Sequence, residues 1–274
     1  MKYSNFSVLM SVYRKENPDY LFECINSILS NTIVPDEIVI VKDGPLTIEL
    51  DDVLKPYLNN SIFNIVGYDI NRGLGEALNF GLSFCKNELV ARMDSDDICS
   101  PTRFEMLLNE FNKNNNLDIV GSIVGEFIGN VDNVVSYRVV PENTNAIIQY
   151  AKKRNPFNHP SVMFKKSTVI KCGGYLDFYR HEDYYLWYRM IKNQCHFYNI
   201  QEPLLFMRIS NDFYKRRGGY KTFCYRKKLN SIMKKDGFIS FFNYIFVIFV
   251  NFCNFISPPF VRKIFHKKFL RAKY

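Results

Sequence analysis

No CxxC pair occurs in the chain. Its seven cysteines are scattered at positions 24, 85, 99, 172, 195, 224 and 253, an odd set that argues against a disulfide framework or a structural zinc site and fits a reducing compartment. There is also no GxGxxG loop and no GxxxxGK followed by Ser or Thr, so neither of the common glycine cradles for a dinucleotide or a nucleoside triphosphate is available. The apolar run after Met1 is too short for a signal peptide, and charge resumes at Arg14. Acid is scarcest towards the C-terminus. Residues 213–274 carry 15 Lys/Arg against the single acid Asp236, a net of +14, while residues 1–212 carry 21 Lys/Arg against 26 Asp/Glu, a net of −5. Charge of either sign is missing from residues 238–256, FISFFNYIFVIFVNFCNFI.

That uncharged run of 19 residues is long enough to be considered a membrane span. Asn243, Asn251 and Asn254 interrupt it near one helical face, and basic clusters flank it on both sides, Lys227, Lys228, Lys234 and Lys235 before it and Arg262 to Lys273 after it. Basic residues at both ends favour a helix lying in an anionic interface over one that spans the bilayer or is buried in the fold. Nucleic acid is the weaker reading of the positive charge, because the aromatics are interleaved with aliphatics and not with the basic residues.

With 274 residues and 47% hydrophobic content, the chain can build one large domain, or a domain plus appendages. FSVLMSVY (6–13), DEIVIVKDG (36–44), SIFNIVGYD (61–69), ELVARM (88–93) and LDIVGSIV (117–124) read as buried strands. Helical patterns separate them: one opening at Asn17-Pro18-Asp19, LTIELDDVLKPYL, GEALNFGLSFC after the NRGLG turn, and PTRFEMLLNEFNK. The alternation predicts an α/β fold, a mostly parallel Rossmann-like sheet with helices on both faces. Ligands then bind beyond the carboxyl ends of the strands, where Tyr13, Asp43, Asn71-Arg72, Asp94 and Asp96 fall. From about residue 125 to 165, turns and short strands dominate. A short helix, a Gly173-Gly174 turn and a helix from about 183 follow, the last with Asp183 at its N-terminus and an apolar stripe of Leu186, Trp187, Met190 and Ile191. Three segments result: 1–124, 125–212 and the basic, hydrophobic tail 213–274.

The most unusual stretch is ARMDSDDICSP, with Asp94, Asp96 and Asp97 at a strand end. Like charges this close repel. Asp97 or Ser100 as a helix cap before Pro101 accounts for one of them, and a solvated loop accounts for all without giving them work. The third reading is a cation site: carboxylates at i and i+2 suit Mg²⁺ or Mn²⁺, which bridge to a diphosphate. Position favours the third, because a sheet without a glycine cradle needs another countercharge for a bound diphosphate.

Taken together, SVLMSVY, IVIVKDGP, NRGLGEALNFGL, ARMDSDD and HEDYYLWYRM, in that order over roughly residues 5–210, resemble glycosyltransferase family 2, the inverting GT-A nucleotide-sugar transferases. The short transferases of bacterial O-antigen and capsule gene clusters are the most similar. The resemblance implies a UDP-sugar donor, a Mn²⁺ or Mg²⁺ cofactor, and a lipid-diphosphate-linked saccharide acceptor. It further implies transfer of galactose or glucose to an N-acetylhexosamine on diphospho-undecaprenol, by a peripheral protein on the cytoplasmic face of the inner membrane with no nucleic-acid partner. Carried over by position, Tyr13 would pack on the base, Asp43 bond the uracil and Arg72 contact base or phosphate. Asp94 would meet the ribose or share the metal, Asp96 bind the metal and Asp183 act as catalytic base. Each has a plainer reading beside it: Tyr13 as a core aromatic, Asp43 as a turn former before Gly44-Pro45, and Asp183 as a helix cap. Trp187 reads as core rather than sugar platform, and His159 either as an acceptor contact or as a structural loop residue. From a different class, a non-catalytic membrane-bound sugar or nucleotide module also fits the composition.

Overall fold

The structure, a computed structural model, describes residues 3–209, 219–258, 260–262 and 271. The expected boundary at 212/213 and most of the basic cluster after Arg262 lie outside the described residues.

The strands are β1 (Phe6–Val12), β2 (Glu37–Asp43), β3 (Phe63–Tyr68), β4 (Leu89–Arg92), β5 (Ile98–Cys99), β6 (Ile119–Phe127), β7 (Val134–Arg138), β8 (Met163–Lys165) and β9 (Phe197–Arg208). Among the described residues the helices are α1 (Pro18–Leu29), α2 (Ile48–Leu54), α3 (Leu74–Phe84), α4 (Arg103–Lys113), α5 (Thr144–Ala151), α6 (Lys166–Lys171), α7 (Glu182–Lys192), α8 (Tyr220–Lys235) and α9 (Phe241–Ile256). One sheet holds all the strands in the order β3-β2-β1-β4-β8-β6-β9-β5, with β7 added to β6. β3, β2, β1 and β4 are parallel, as the alternating pattern predicts. Beyond β4 the sheet is mixed: β8 is inserted antiparallel between β4 and β6, while β9 pairs parallel with β6. β4 and β5 are close in sequence yet stand far apart in the strand order, so the sheet must curl to let residues 93–97 connect them.

Local chemistry explains the elements. Asn17 caps α1 by accepting the Asp19 amide at 2.8 Å, with Pro18 in the first turn, and Leu21, Cys24, Ile25 and Ile28 form its buried stripe. Gly44 turns the chain after β2 at φ 83°, where a Cβ would meet the Asn71 backbone nitrogen at 2.7 Å. Gly81 lets α3 lie close on the sheet, because a Cβ there would come within 2.5 Å of Leu9 and Val41. Helices cover both faces. α1, α2 and α4 pack one core with β1 and β2, and α3, α5, α6 and α7 pack the other around Trp187, which is fully buried. Trp187 is therefore core.

Two local expectations change. α5, TNAIIQYA, is a helix in the stretch where turns and short strands were expected to dominate. Neither Asp97 nor Ser100 caps α4, which starts at Arg103 without a side-chain cap, because the Asp97 carboxylate accepts the backbone N–H of Arg208 instead, at 3.2 Å.

The C-terminal helices form a hairpin docked on α7. Leu229 and Met233 of α8 join Phe178, Tyr184 and Tyr188 in a third apolar cluster. Asp236, between the helices, accepts the Tyr188 hydroxyl and pairs with Lys192, both at 2.7 Å. α9 has 16 residues, roughly 24 Å long against about 30 Å of bilayer hydrocarbon. No described helix is long and apolar enough to cross a membrane. Nor is α9 buried, since only Val247 is fully enclosed. Phe242, Ile245, Phe249, Phe252 and Ile256 form an exposed outer stripe, with Phe242 84% and Phe249 63% exposed. The opposite stripe, Val247, Val250, Asn251 and Asn254, faces the body.

Candidate active site

The acidic turn is held from three directions. On β4, Arg92 is buried and ion-pairs with Asp94. Burial works against its charge, but Asp94 outweighs it and the guanidinium pKa is raised. From α4, the fully buried Arg103 donates to the carbonyls of Arg92 (2.7 Å) and Pro160 (2.9 Å). That ties the end of β4 to the loop carrying His159. From β9, Arg208 donates its Nε to the Asp96 carbonyl at 3.3 Å and ion-pairs with Glu23. Ser95 turns away to donate to Glu16 at 2.9 Å, which leaves the flanking carboxylates together on the other side.

Carboxylate oxygens of Asp94, Asp96 and Asp97 lie within 4.8 Å of one another. Burial, and then Asp94 and Glu16, push Asp96 up to about 7. Asp97 is raised as well, by burial first and then by Asp96. Its Oδ2 is buried with no hydrogen-bond partner among the described residues. An all-oxygen set with an orphaned buried carboxylate oxygen fits a hard divalent cation. The residues that fit are thus Asp94 and Asp96, as the sequence suggests, joined by Asp97.

The cluster lines a cleft of about 580 Å³ that also contains Asp183, Glu182, Arg138, Asn155 and His159. Asp183 does sit in the first turn of α7. Its Oδ2 accepts the Asn155 amide at 2.6 Å and its Oδ1 the Tyr184 backbone N–H at 2.7 Å. Burial raises its pKa, while those two hydrogen bonds oppose the rise. Glu182 is pushed up to about 7, by burial and then by Asp183. His159 is buried, which together with the nearby Arg92 lowers its pKa, and its ring shares a 3.0 Å hydrogen bond with the Tyr175 hydroxyl.

Tyr13, Asp43 and Arg72 are also at the carboxyl ends of the parallel strands, but none lines this cleft. Tyr13 follows β1 and is 38% exposed. Asp43 ends β2, and its carboxylate accepts the Tyr68 hydroxyl, the Asn71 amide and the backbone N–H groups of Arg72 and Gly73. It thereby shapes the turn that holds the Arg72 guanidinium 4.5 Å above the Tyr68 ring. Sequence reasoning missed Arg92, Arg103, Asn155 and Arg208. The one available signal was the arginine inside ARMDSDD.

A curled α/β sheet with clustered carboxylates at its strand ends, facing a further carboxylate across one cleft, is the GT-A arrangement, and the protein is a glycosyltransferase. The chain belongs to glycosyl transferase family 2, whose profile matches residues 7–175. It is 40% identical to an Escherichia coli protein named UDP-Gal:alpha-D-GlcNAc-diphosphoundecaprenol beta-1,3-galactosyltransferase, over 97% of this chain and 96% of that one. An amylovoran biosynthesis glycosyltransferase of Erwinia amylovora is 38% identical, over 85% of this chain and 88% of its own. Among solved structures, S. aureus TarS 1–349 in complex with UDP-GlcNAc superposes with a TM-score of 0.68 at 15% identity, covering 91% of this chain and 72% of that one. Against a longer TarS structure the chain spans 39% of the length. At that identity the likeness concerns the fold alone.

Proposed function

We propose that the protein is an inverting hexosyltransferase that moves galactose, with glucose as the second choice, from a UDP-sugar to an N-acetylhexosamine on diphospho-undecaprenol, in O-antigen or capsule biosynthesis. The carrying observation is the meeting of Asp183 with the Asp94-Asp96-Asp97 cluster in one cleft. The printed activity of the E. coli relative supports galactose and the lipid-linked acceptor. Tyr13, Asp43 and Arg72 receive the nucleotide base. Asp94, Asp96 and Asp97 would hold a divalent cation, Mn²⁺ or Mg²⁺, which when bound offsets the charge of the diphosphate. Asp183 accepts the proton of the attacking acceptor hydroxyl. Asn155 fixes its carboxylate orientation, and burial raises its basicity above that of a free aspartate. Nη1 and Nε of Arg92 are buried with no hydrogen-bond partner among the described residues and supply preorganised positive charge to the cleft. One base suffices for a single displacement. The full-length protein, UDP-galactose, Mn²⁺ and a synthetic GlcNAc-diphosphate lipid should yield a β-linked disaccharide by NMR. Slow UDP-galactose hydrolysis with no disaccharide from GlcNAc or GalNAc acceptors would reject this acceptor class, and no turnover of any UDP-sugar would leave the non-catalytic module.

The acceptor's lipid places the enzyme at a membrane surface, and we assign contact with the anionic cytoplasmic leaflet to the outer stripe of α9 and the basic residues around it. α8 is packed into the body, so point changes are a cleaner test than truncation. Phe242→Asp with Phe249→Asp should cut co-sedimentation with anionic liposomes by about tenfold while UDP binding is retained. Equal sedimentation of variant and wild type would remove α9 from the membrane role.

A further inference from the structure

A second cavity, about 430 Å³, opens beside the catalytic cleft between α9 and residues 138–158. Arg138, Asn155, His181 and Asn254 line both spaces. Arg138, Lys153, Arg154, Arg226 and Arg271 contribute to its wall, and no aspartate or glutamate does. Arg271 is neutralised by a bidentate pair with Glu126 at 2.6 Å. The other four have no carboxylate partner within ion-pair distance among the described residues. Among the described residues, the Arg138 guanidinium has one polar contact, at 3.6 Å with the Met207 sulfur. Arg154 lies over the Tyr150 ring, and Arg226, 8% exposed, lies over Tyr184 and donates to the Lys153 carbonyl at 2.8 Å. Burial, followed by the nearby Arg271, lowers Arg138 to about 10. Glu126 and Asp183 act on Arg138, and Asp183 on Arg226, only from beyond ion-pair distance, so the wall keeps an excess of positive charge that suits an anion.

The rest of the wall is apolar. Phe246, Val247 and Val250 of α9 line it, and Phe246 continues to the exposed aromatic surface of the same helix. A ligand that suits both parts carries a multiply charged head on an apolar chain. The junction fixes its orientation. Asn155, which lines both spaces, holds the Asp183 carboxylate, so a sugar attached to that head would lie in the cleft beside Asp183.

We infer that this cavity binds the acceptor's diphosphate, on Arg138, Arg154 and Arg226, and the first isoprenoid units of its lipid, along Phe246 and Val250. This rests on the lipid-diphosphate acceptor proposed above, which names no binding site for it. Sugar-acceptor selectivity then belongs to the cleft, and carrier selectivity belongs to the α9 cavity.

The test uses decyl diphosphate, which has no sugar, titrated calorimetrically into the full-length protein saturated with UDP and Mn²⁺. Wild type should bind it. Arg138→Gln, Arg154→Gln and Val250→Asp should each weaken binding by about tenfold or more, the scale of losing one charge-assisted hydrogen bond or apolar contact. Inorganic diphosphate and decyl monophosphate should bind wild type at least about tenfold more weakly. No binding by wild type, variants equal to wild type, or inorganic diphosphate equal to the decyl ester would each overturn the assignment. Should Arg138→Gln lose its fold, seen as lost UDP binding, Arg154→Gln carries the test from its place over the Tyr150 ring. The titration needs no turnover. A protein that binds decyl diphosphate as stated but makes no disaccharide rejects only the proposed activity, and one that makes the disaccharide with no such binding rejects only this site.

Discussion

Asp183→Asn should lower kcat by about 10²–10⁴-fold, the usual contribution of a general base, and leave UDP affinity by calorimetry within about twofold of wild type. The amide keeps the size of the carboxyl and still accepts the Tyr184 backbone N–H, so α7 keeps its first turn. It cannot take a proton. The same substitution places an amide opposite the Asn155 amide, which now donates to Oδ2 at 2.6 Å. Asn155→Ala should therefore give a milder loss, by freeing the carboxylate without removing it. The pH dependence follows in sign. Burial raises the Asp183 pKa, and the base works only when deprotonated. Wild-type kcat should therefore fall as pH drops through a midpoint above the ordinary aspartate value of about 3.9, and that dependence should be absent from the residual activity of the asparagine variant. More than half of wild-type kcat in Asp183→Asn would transfer the role elsewhere, with Glu182, pushed up to about 7 in the same cleft, the first to examine.

How much of this was legible in the sequence depended on range. Strands β1 to β4 and the helices between them were readable, because continuous apolar runs and helical stripes are local signals. Asp94, Asp96 and Asp183, which line one cleft, stand out in the sequence for a related reason: carboxylates at the end of a buried strand or the start of a helix are conspicuous. β8, three residues long and reversed, has no period to detect. α5 is only eight residues and follows a Pro-Glu-Asn turn that resembles loop.

The supporting residues were hidden because their partners are distant. Arg103, in PTRFEMLL, looks like a solvent position in an amphipathic helix, yet it is fully buried on two carbonyls, one of them at Pro160. Arg208 meets Asp97 across 111 positions and Asn155 meets Asp183 across 28. Arg226 belongs to a segment whose charge suggests a solvated, lipid-facing tail, but it lies under α9 against Tyr184. Net charge locates a basic region and leaves open which of its residues face inward. The asparagines of α9 do carry that information. Asn251 and Asn254 mark the stripe turned to the body, and the phenylalanines opposite mark the stripe turned out.

Asp96→Ala should reduce transfer by roughly 10³-fold or more, which is what several kcal/mol of lost charge stabilisation amounts to, and EDTA should do the same to wild type. The physical case is the crowding itself. Three carboxylates with oxygens within 4.8 Å of one another have one direct cationic partner among the described residues, Arg92, and that arginine is committed to Asp94. Asp97 keeps a buried oxygen with no hydrogen-bond partner among the described residues, an arrangement that costs stability unless a cation is admitted. Two consequences separate a cation site from a merely strained turn. Asp96→Ala should raise the thermal midpoint of metal-free protein, because it relieves repulsion, and should abolish the rise in midpoint that Mn²⁺ gives wild type. Asp96→Asn should share the first effect in part and the second in full. Full activity in EDTA with divalent ions rigorously removed, or a Mn²⁺-induced rise in midpoint that survives Asp96→Ala, would show that the cluster serves the fold of the turn and that the arginines of the cleft carry the diphosphate alone.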